Sequence, residues 1–86
     1  MMIRCASWIS WVPAAGAITL FDDRDGSYHA LNPSASTIWT ALSSGQQPGE
    51  IGEAIAATHR ASIAAVQRDV DDFVALALDK GLLVSG

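Results

Sequence analysis

GSYHALNPSASTIWTAL at positions 26–42 organises the whole chain, because it ends a sheet and begins the helices that cover it. Ser27 to Leu31 is typical of a β-strand, and Asn32 can cap the following helix by accepting hydrogen bonds from the free N–H groups of its first turn. Pro33 suits the first helical position, where a missing N–H costs nothing. Apolar residues at helical spacing then predict a helix that ends before Gly45: Ala35, Ile38, Trp39 and Leu42.

Two strands are predicted before this stretch. The N-terminal segment 1–12, MMIRCASWISWV, predicts a first strand rather than a signal peptide, because serines and tryptophans interrupt its apolar residues. Ala17 to Phe21 alternates its side chains and predicts a second strand. DDRDG at 22–26 contains Asp-Gly, a strong hairpin signal. We therefore expect Ala17 to Leu31 to form an antiparallel hairpin, with the N-terminal strand beside it.

Three helices are predicted after the strands. The first runs from Pro33 to about Ser43, and the second runs from Pro48 to about His59. The third and longest runs from Ile63 to Lys80, with Ser62 as its candidate N-cap and Gly81 as its stop. The residues that follow, Leu82 to Val84, are expected to return to the core or to the edge of the sheet.

The third helix carries more apolar residues than one buried stripe needs. The stripe itself consists of Val66, Val70, Phe73 and Ala77. Val74 and Leu78 lie on one flank of it, and Leu76 lies on the other. Two interpretations stay open: a wide buried face in a small domain, or one flank that lines an open groove filled by a partner.

Length and charge restrict the classes of function. The chain has 86 residues, enough for one small core, and we expect 1–86 to be a single domain. Half of the residues are hydrophobic and 16% are charged, which argues against disorder. The net charge is −4 and no basic run occurs, so the positive patch of a nucleic-acid-binding protein is missing. No apolar run is long enough to cross a bilayer.

Few residues offer catalytic or metal-binding chemistry. The single cysteine, Cys5, excludes an internal disulfide framework and is expected to be inert in a reducing cytoplasm. His29 and His59 fit no metal-ligand motif and are expected to be surface residues. We therefore predict no catalytic residues, no metal and no cofactor, and a small enzyme is the weakest interpretation.

Several short motifs follow one another along the chain: Gly26, Tyr28, Leu31-Asn32, Ile38-Trp39, Gly45, EIGEAI at 50–55, VQRDVDDFV at 66–74 and KGLLV at 80–84. Together they resemble the PqqD-like family over about residues 15–84. That family supplies the leader-peptide recognition domains of ribosomally made, modified peptides. No single motif is specific, but their order and spacing together are.

Three strands followed by three helices pack compactly as a winged-helix-like α+β domain, with the helices against one face of a three-stranded antiparallel sheet. The family resemblance implies the same fold. It also implies that a leader peptide adds as a further antiparallel strand beside the third strand, Ser27 to Leu31, in a groove against the third helix.

The resemblance further assigns the residues of the binding site. The recognition edge consists of Ser27, Tyr28, His29, Ala30 and Leu31. The helical wall consists of Val66, Asp69, Val70, Phe73, Val74, Leu76 and Ala77. Ala77 stands where the family often carries a larger aliphatic residue, which affects the shape of the groove.

Within the family, the chain resembles the stand-alone leader-binding subunit of lasso-peptide systems, a choice favoured by DDRDGSYHALNP at 22–33. Such a subunit presents a precursor peptide to a separate leader protease and a cyclase. The founding member instead is a chaperone for the precursor of pyrroloquinoline quinone and works with a radical enzyme. We expect a non-catalytic protein, located in the cytoplasm, that is a monomer or a weak homodimer paired through its exposed strand.

The alternative is a winged-helix regulator that binds DNA. Its recognition helix would be the third helix. That helix carries four aspartates against Arg68 and Lys80: Asp69, Asp71, Asp72 and Asp79. Repulsion from the phosphates argues against this function.

Overall fold

Eight elements follow one another in the computed structural model, which describes residues 2–86. They are β1 (Ile3–Cys5), β2 (Ile9–Ala14), β3 (Ala17–Asp22), β4 (Ser27–Leu31), α1 (Pro33–Ser43), α2 (Pro48–His59), α3 (Ile63–Asp79) and β5 (Leu83–Ser85). Strands β2, β3 and β4 form an antiparallel sheet in that order, and β1 pairs with β5 in a second, two-stranded sheet. The predicted α+β fold is confirmed, and β4 is the third strand of the predicted sheet.

The sequence predicted one strand in the N-terminal segment, and this prediction is wrong: the segment contributes to two strands, β1 and β2. Its first residue, Met1, lies outside the described residues. Ile3, Ala6 and Ile9 are all buried, and this spacing of three does not fit a single strand, whose side chains alternate every second residue. The chain therefore turns after β1, where Ala6 N–H donates to Leu82 O at 3.0 Å and Ile9 N–H donates to Ala6 O at 3.1 Å.

The switch from β4 to α1 forms as its residues dictate. Asn32 adopts an extended conformation, and its side-chain oxygen accepts from Ala35 N–H at 2.8 Å. Pro33 occupies the first turn, and Gly45 follows the helix with a φ of 95°. Ser62 stands at the N-cap of α3, although its side chain makes no capping hydrogen bond.

The core lies between the β2–β4 sheet and the helices. Leu20 of β3, Trp39 of α1, Ile51 of α2 and Val70 of α3 are fully buried there. Trp11 of β2 packs edge-on against Trp39, with ring centroids 5.4 Å apart. The edge-on contact between the fully buried Trp39 and Trp11, which is 38% exposed, helps to hold this helix on the inner face of the sheet.

An arginine connects the turn between β3 and β4 to the end of α3. The Arg24 guanidinium donates to both carboxylate oxygens of Asp22, from Nε at 3.1 Å and from Nη2 at 2.8 Å. Nη2 also donates to Lys80 O at 3.1 Å. The same guanidinium lies 4.8 Å above the ring of Trp8, whose Nε1 donates to Gly81 O at 2.9 Å.

The Asp22 carboxyl is buried within this cluster. Hydrogen bonds from the Arg24 side chain, with a further one from the Arg24 backbone N–H at 2.9 Å, hold the pKa of Asp22 below its ordinary range. A depressed pKa means that the ionised carboxylate stabilises the folded state.

Gly52 lets α2 approach α3. It is buried, and a Cβ placed on it would overlap Oε1 of Gln67. The Gln67 side chain is held over this glycine because its Nε2 donates to Pro48 O at 3.2 Å and to Asp71 Oδ1 at 3.0 Å. A glycine within a helix costs up to about 1 kcal/mol relative to alanine, and here the close contact offsets that cost.

We expect Gly52→Ala to show none of the usual gain in helix stability, because its methyl group displaces Gln67. In a Gln67→Ala background the same substitution is expected to stabilise the protein by about 0.5–1 kcal/mol. Urea unfolding of the four proteins of this cycle measures both values. An equal gain in both backgrounds would show that Gln67 does not restrict this site.

We also expect the stability difference between the wild type and Asp22→Asn to shrink on acidification. The contribution of Asp22 is complete above the unfolded-state pKa of about 3.9, and it is lost as the pH falls through the lower folded-state pKa. Urea unfolding between about pH 6 and pH 3 checks this. A difference independent of pH would contradict the role of the charged carboxylate.

Candidate peptide-binding groove

One edge of the three-stranded sheet lacks a neighbouring strand. β4 pairs with β3 on one side, and on its other side no described strand follows. The register joins Ile18 to Leu31, Leu20 to His29 and Asp22 to Ser27. In each pair, the N–H and C=O groups point either toward the neighbouring strand or away from it. This direction shows which main-chain groups of β4 face the open edge.

Two hydrogen bonds establish that direction. Asp23 N–H donates to Trp8 O at 3.0 Å, so the main chain of Asp23 points toward the β2 side. Ile18 N–H instead points toward β4: it donates to Ser36 Oγ at 2.8 Å, and this hydroxyl donates to Leu31 O at 3.4 Å. Since the two directions alternate along a strand, Ser27, His29 and Leu31 bond toward β3. The N–H and C=O groups of Tyr28 and Ala30 therefore face the open edge.

The opposite edge of the sheet is less suited to pairing. Pro13 of β2 lies opposite Ile18, at a position whose main chain points outward by the same alternation. Proline has no N–H to offer there, and a proline is a common device for blocking an edge strand. Of the two edges of this sheet, β4 is thus the one with an intact set of donors.

The side chains of β4 divide between the two faces of the sheet. Ser27, His29 and Leu31 are half-buried on the helical side. Tyr28 is 72% exposed and lies on the other face, where its ring centroid is 4.9 Å from that of Phe21. Tyr28 and Ala30 hence contribute to the edge mainly through their main chain.

A groove of about 400 Å³ runs between β4 and the C-terminal half of α3. Its apolar lining consists of Leu31, Ala35, Phe73, Leu76, Ala77 and Leu82. Leu76 is 55% exposed although it is a large aliphatic residue, and Phe73 is half-buried. Its polar and charged members are His29, Asn32 and Lys80. The groove can accept apolar side chains of a strand placed beside β4.

The predicted helical wall is divided by the structure. Phe73, Leu76 and Ala77 line the groove. Val66, Asp69 and Val70 line a separate cavity of about 340 Å³ between α1, α2 and α3. Val74 is buried and lines neither, because it faces the interior of the domain.

Sequence patterns had missed part of the lining. Four lining residues were not predicted for the site: Asn32, Ala35, Lys80 and Leu82. The first two had been assigned only to the start of a helix and Lys80 only to the end of α3. Leu82 had been assigned to the core or the sheet edge. The apolar Leu76 on the outer flank of α3 was the available signal, and the structure places this exposed residue in the lining of the groove. The opposite flank is partly or fully buried at Val74 and Leu78.

The residues with reactive side chains lie apart on different elements. Cys5 is on β1, His29 on β4 and His59 at the end of α2. Burial raises the pKa of Cys5 to about 11, so its thiol stays protonated near neutral pH. Within residues 2–86, no cluster of three or more histidine, cysteine or acidic side chains is arranged to hold a metal ion. None of the helices in this range is long and apolar enough to span a membrane.

Comparison with known proteins agrees with this geometry. Residues 18–83 match the family described as coenzyme PQQ synthesis protein D (PqqD). The fold is similar to that of TbiB1 in complex with the TbiA(beta) leader peptide, with a TM-score of 0.91, 28% sequence identity and 96% of each chain covered. It is also similar to lasso peptide synthetase B1 complexed with the leader peptide, with a TM-score of 0.89, 22% identity, and 99% of this chain and 100% of the other covered. No curated protein sequence matches the chain significantly.

Proposed function

Because this chain belongs to the PqqD family, we propose that it is a non-catalytic protein that binds the leader segment of a precursor peptide. The leader adds as an antiparallel strand to β4 and lies in the groove against α3. The observation that carries this proposal is the open edge of β4 directly beside an apolar groove. In β-strand addition, main-chain hydrogen bonds supply affinity and pockets for alternate side chains supply selectivity.

The edge of β4 supplies the main-chain hydrogen bonds, and the groove supplies the pockets for side chains. Tyr28 and Ala30 each offer one N–H and one C=O, and each hydrogen bond formed contributes about 0.5–1.5 kcal/mol. The alternate side chains of the added strand point toward Phe73, Leu76 and Leu31. Covering the exposed surface of Leu76 is favourable by about 25 cal/mol per Å² of apolar area buried.

The similarity to TbiB1, whose structure contains a leader peptide, supports leader binding. The similarity in fold to lasso peptide synthetase B1 complexed with the leader peptide supports a place in lasso-peptide biosynthesis. We propose that the chain hands its bound precursor to a separate leader protease or another maturation enzyme, in the cytoplasm. It acts as a monomer or a weak homodimer. The groove residues suit recognition rather than catalysis, since its lining is mostly apolar and its titratable members are His29 and Lys80.

The charges of α3 disfavour the DNA-binding alternative. Asp69, Asp71, Asp72 and Asp79 are all exposed on this helix. A recognition helix that carries four exposed carboxylates would repel the phosphates of a duplex.

The direct test is a calorimetric titration with a synthetic leader peptide of the precursor encoded beside the gene. A scrambled peptide of the same composition and a DNA duplex serve as controls. We expect selective binding at micromolar or tighter affinity, with no binding to either control. Binding of the scrambled peptide equal to that of the leader, or no binding by a well-folded protein, would refute the proposal.

We expect Ala30→Pro to weaken leader binding at least tenfold, which corresponds to about 1.4 kcal/mol, while the fold is kept. The substitution removes an N–H that faces the open edge. His29→Pro is the matched comparison: it removes an N–H directed at β3, and so it should lower the free energy of unfolding by about 1 kcal/mol or more. Calorimetry and urea unfolding measure the two effects. Equal loss of stability in both variants would contradict the assigned directions of the main chain.

Leu76→Asp is expected to weaken leader binding at least tenfold, because it places a charge in the apolar groove. Ile63→Asp is its control, since Ile63 is 54% exposed on the same helix but lies outside the groove. Both variants should unfold at similar urea concentrations, and only Leu76→Asp should lose affinity. Unfolding of Leu76→Asp alone would place Leu76 in the core.

A further inference from the structure

The two walls of the groove are held at its two ends by different means. At the Leu31 end, β4 runs directly into α1, and the buried Ser36 hydroxyl joins this helix to Ile18 and Leu31. At the Ser27 end, β4 and α3 are remote in sequence. There the Arg24 side chain donates to Lys80 O, and so it connects the turn preceding β4 to the residue that caps the C-terminus of α3.

We propose that Arg24 is a positioning residue for peptide recognition, which fixes the separation of β4 and α3 at the Ser27 end of the groove. This inference rests on the proposed leader-binding function. Lys80 and Leu82 both line the groove on the α3 side. Arg24 donates to the carbonyl of Lys80 and so ties this side of the groove to the turn before β4. Movement of the carbonyl away from the turn would widen the groove beside Leu76.

The guanidinium is well suited to this role, because it is planar and offers several donors in a fixed arrangement. One edge is occupied by the buried carboxylate of Asp22, through Nε and Nη2. Nη2 reaches on to Lys80 O, and the flat face covers Trp8. Trp8 in turn donates to Gly81 O at 2.9 Å. Two side chains from separate parts of the chain thus hold two consecutive carbonyls directly after α3.

Gly81 is shaped to receive this arginine. Its φ of 73° favours glycine, and a Cβ at this position would lie only 2.6 Å from Nη2 of Arg24. The glycine that ends α3 therefore serves the close approach of the guanidinium as well as the turn of the chain.

Arg24 acts through Lys80 rather than by touching the peptide. It does not line the groove, and its charge is paired with Asp22 at 2.8 Å. Removing it should therefore change the shape of the groove while leaving the charge that faces the peptide unaltered. This distinguishes a positioning residue from a direct peptide contact.

The matched control is Gln47, which makes a comparable polar connection away from the groove. Its Oε1 accepts from Ile3 N–H at 2.8 Å, and its Nε2 donates to Ile3 O at 3.1 Å. Gln47→Ala therefore breaks a connection between the start of α2 and β1. Gln47 lines no part of the groove.

The experiment measures leader affinity by calorimetry and stability by urea unfolding for the wild type, Arg24→Ala, Arg24→Lys and Gln47→Ala. We expect Arg24→Ala to bind about tenfold more weakly and Gln47→Ala to bind like the wild type, within about twofold. Arg24→Lys keeps the charge but cannot span Asp22 and Lys80 O together, and so it should lose about threefold. If Arg24→Ala does not fold, Arg24→Lys against Gln47→Ala still decides the question.

Salt dependence separates positioning from direct contact. The wild type and Arg24→Ala should lose affinity with rising salt to the same degree, because Arg24 does not face the peptide. A weaker salt dependence in Arg24→Ala would show direct contact and overturn the positioning role. Unchanged affinity, or equal losses in Arg24→Ala and Gln47→Ala, would overturn it too. Absence of binding by the wild type would instead refute the proposed function itself.

Discussion

The Ser36 hydroxyl is buried at the junction of sheet and helix, where it joins the edge strand to the first turn of α1. It accepts from Ile18 N–H and donates to Leu31 O, so that it completes the last rung of the β3–β4 ladder from the first turn of α1. Because bonded and open positions alternate, this rung agrees with the register in which Ser27, His29 and Leu31 bond toward β3. It also anchors α1 on the sheet, against which Trp39 and the other helices then pack. One hydroxyl thus links the register of the edge strand to the position of the helical layer.

The groove stays open because its walls are fastened at their ends and lined by small or exposed side chains in the middle. Ala35 and Ala77 leave space that larger residues would fill. Leu76 and Phe73 remain partly exposed, although the burial of apolar surface is the main force that closes a fold. A domain that holds such surface open beside an unpaired strand is prepared for an extended ligand, since the ligand completes the sheet and covers the apolar wall in one step.

The two edges of the sheet show how pairing is directed. β2 carries Pro13 at an outward-facing position, whereas β4 offers the donors of Tyr28 and Ala30. The polar cluster around Arg24 holds the turn of this same edge against the end of α3. The main-chain donors, the direction from which a strand can add and the width of the groove are thus all set at β4. The net charge of −4 suits neither DNA nor an acidic surface.

The local elements could be predicted from the sequence, because their signals are local. Asn32 and Pro33 marked the start of α1, Asp-Gly marked the β3–β4 hairpin, and Gly81 marked the end of α3. The likeness of spaced motifs pointed to the family and to the strand Ser27 to Leu31. The N-terminal segment was the error, since the partner of β1 is β5, about eighty residues later, and no local pattern records such a pairing. Two features emerge only from the packed domain. Val66, Asp69 and Val70 line a different cavity from Phe73 and Leu76. Tyr28 and Ala30 hold the open main-chain positions. Both facts depend on how α3 crosses the sheet and on which residue of β3 faces which residue of β4, and those relations exist only once distant segments have packed.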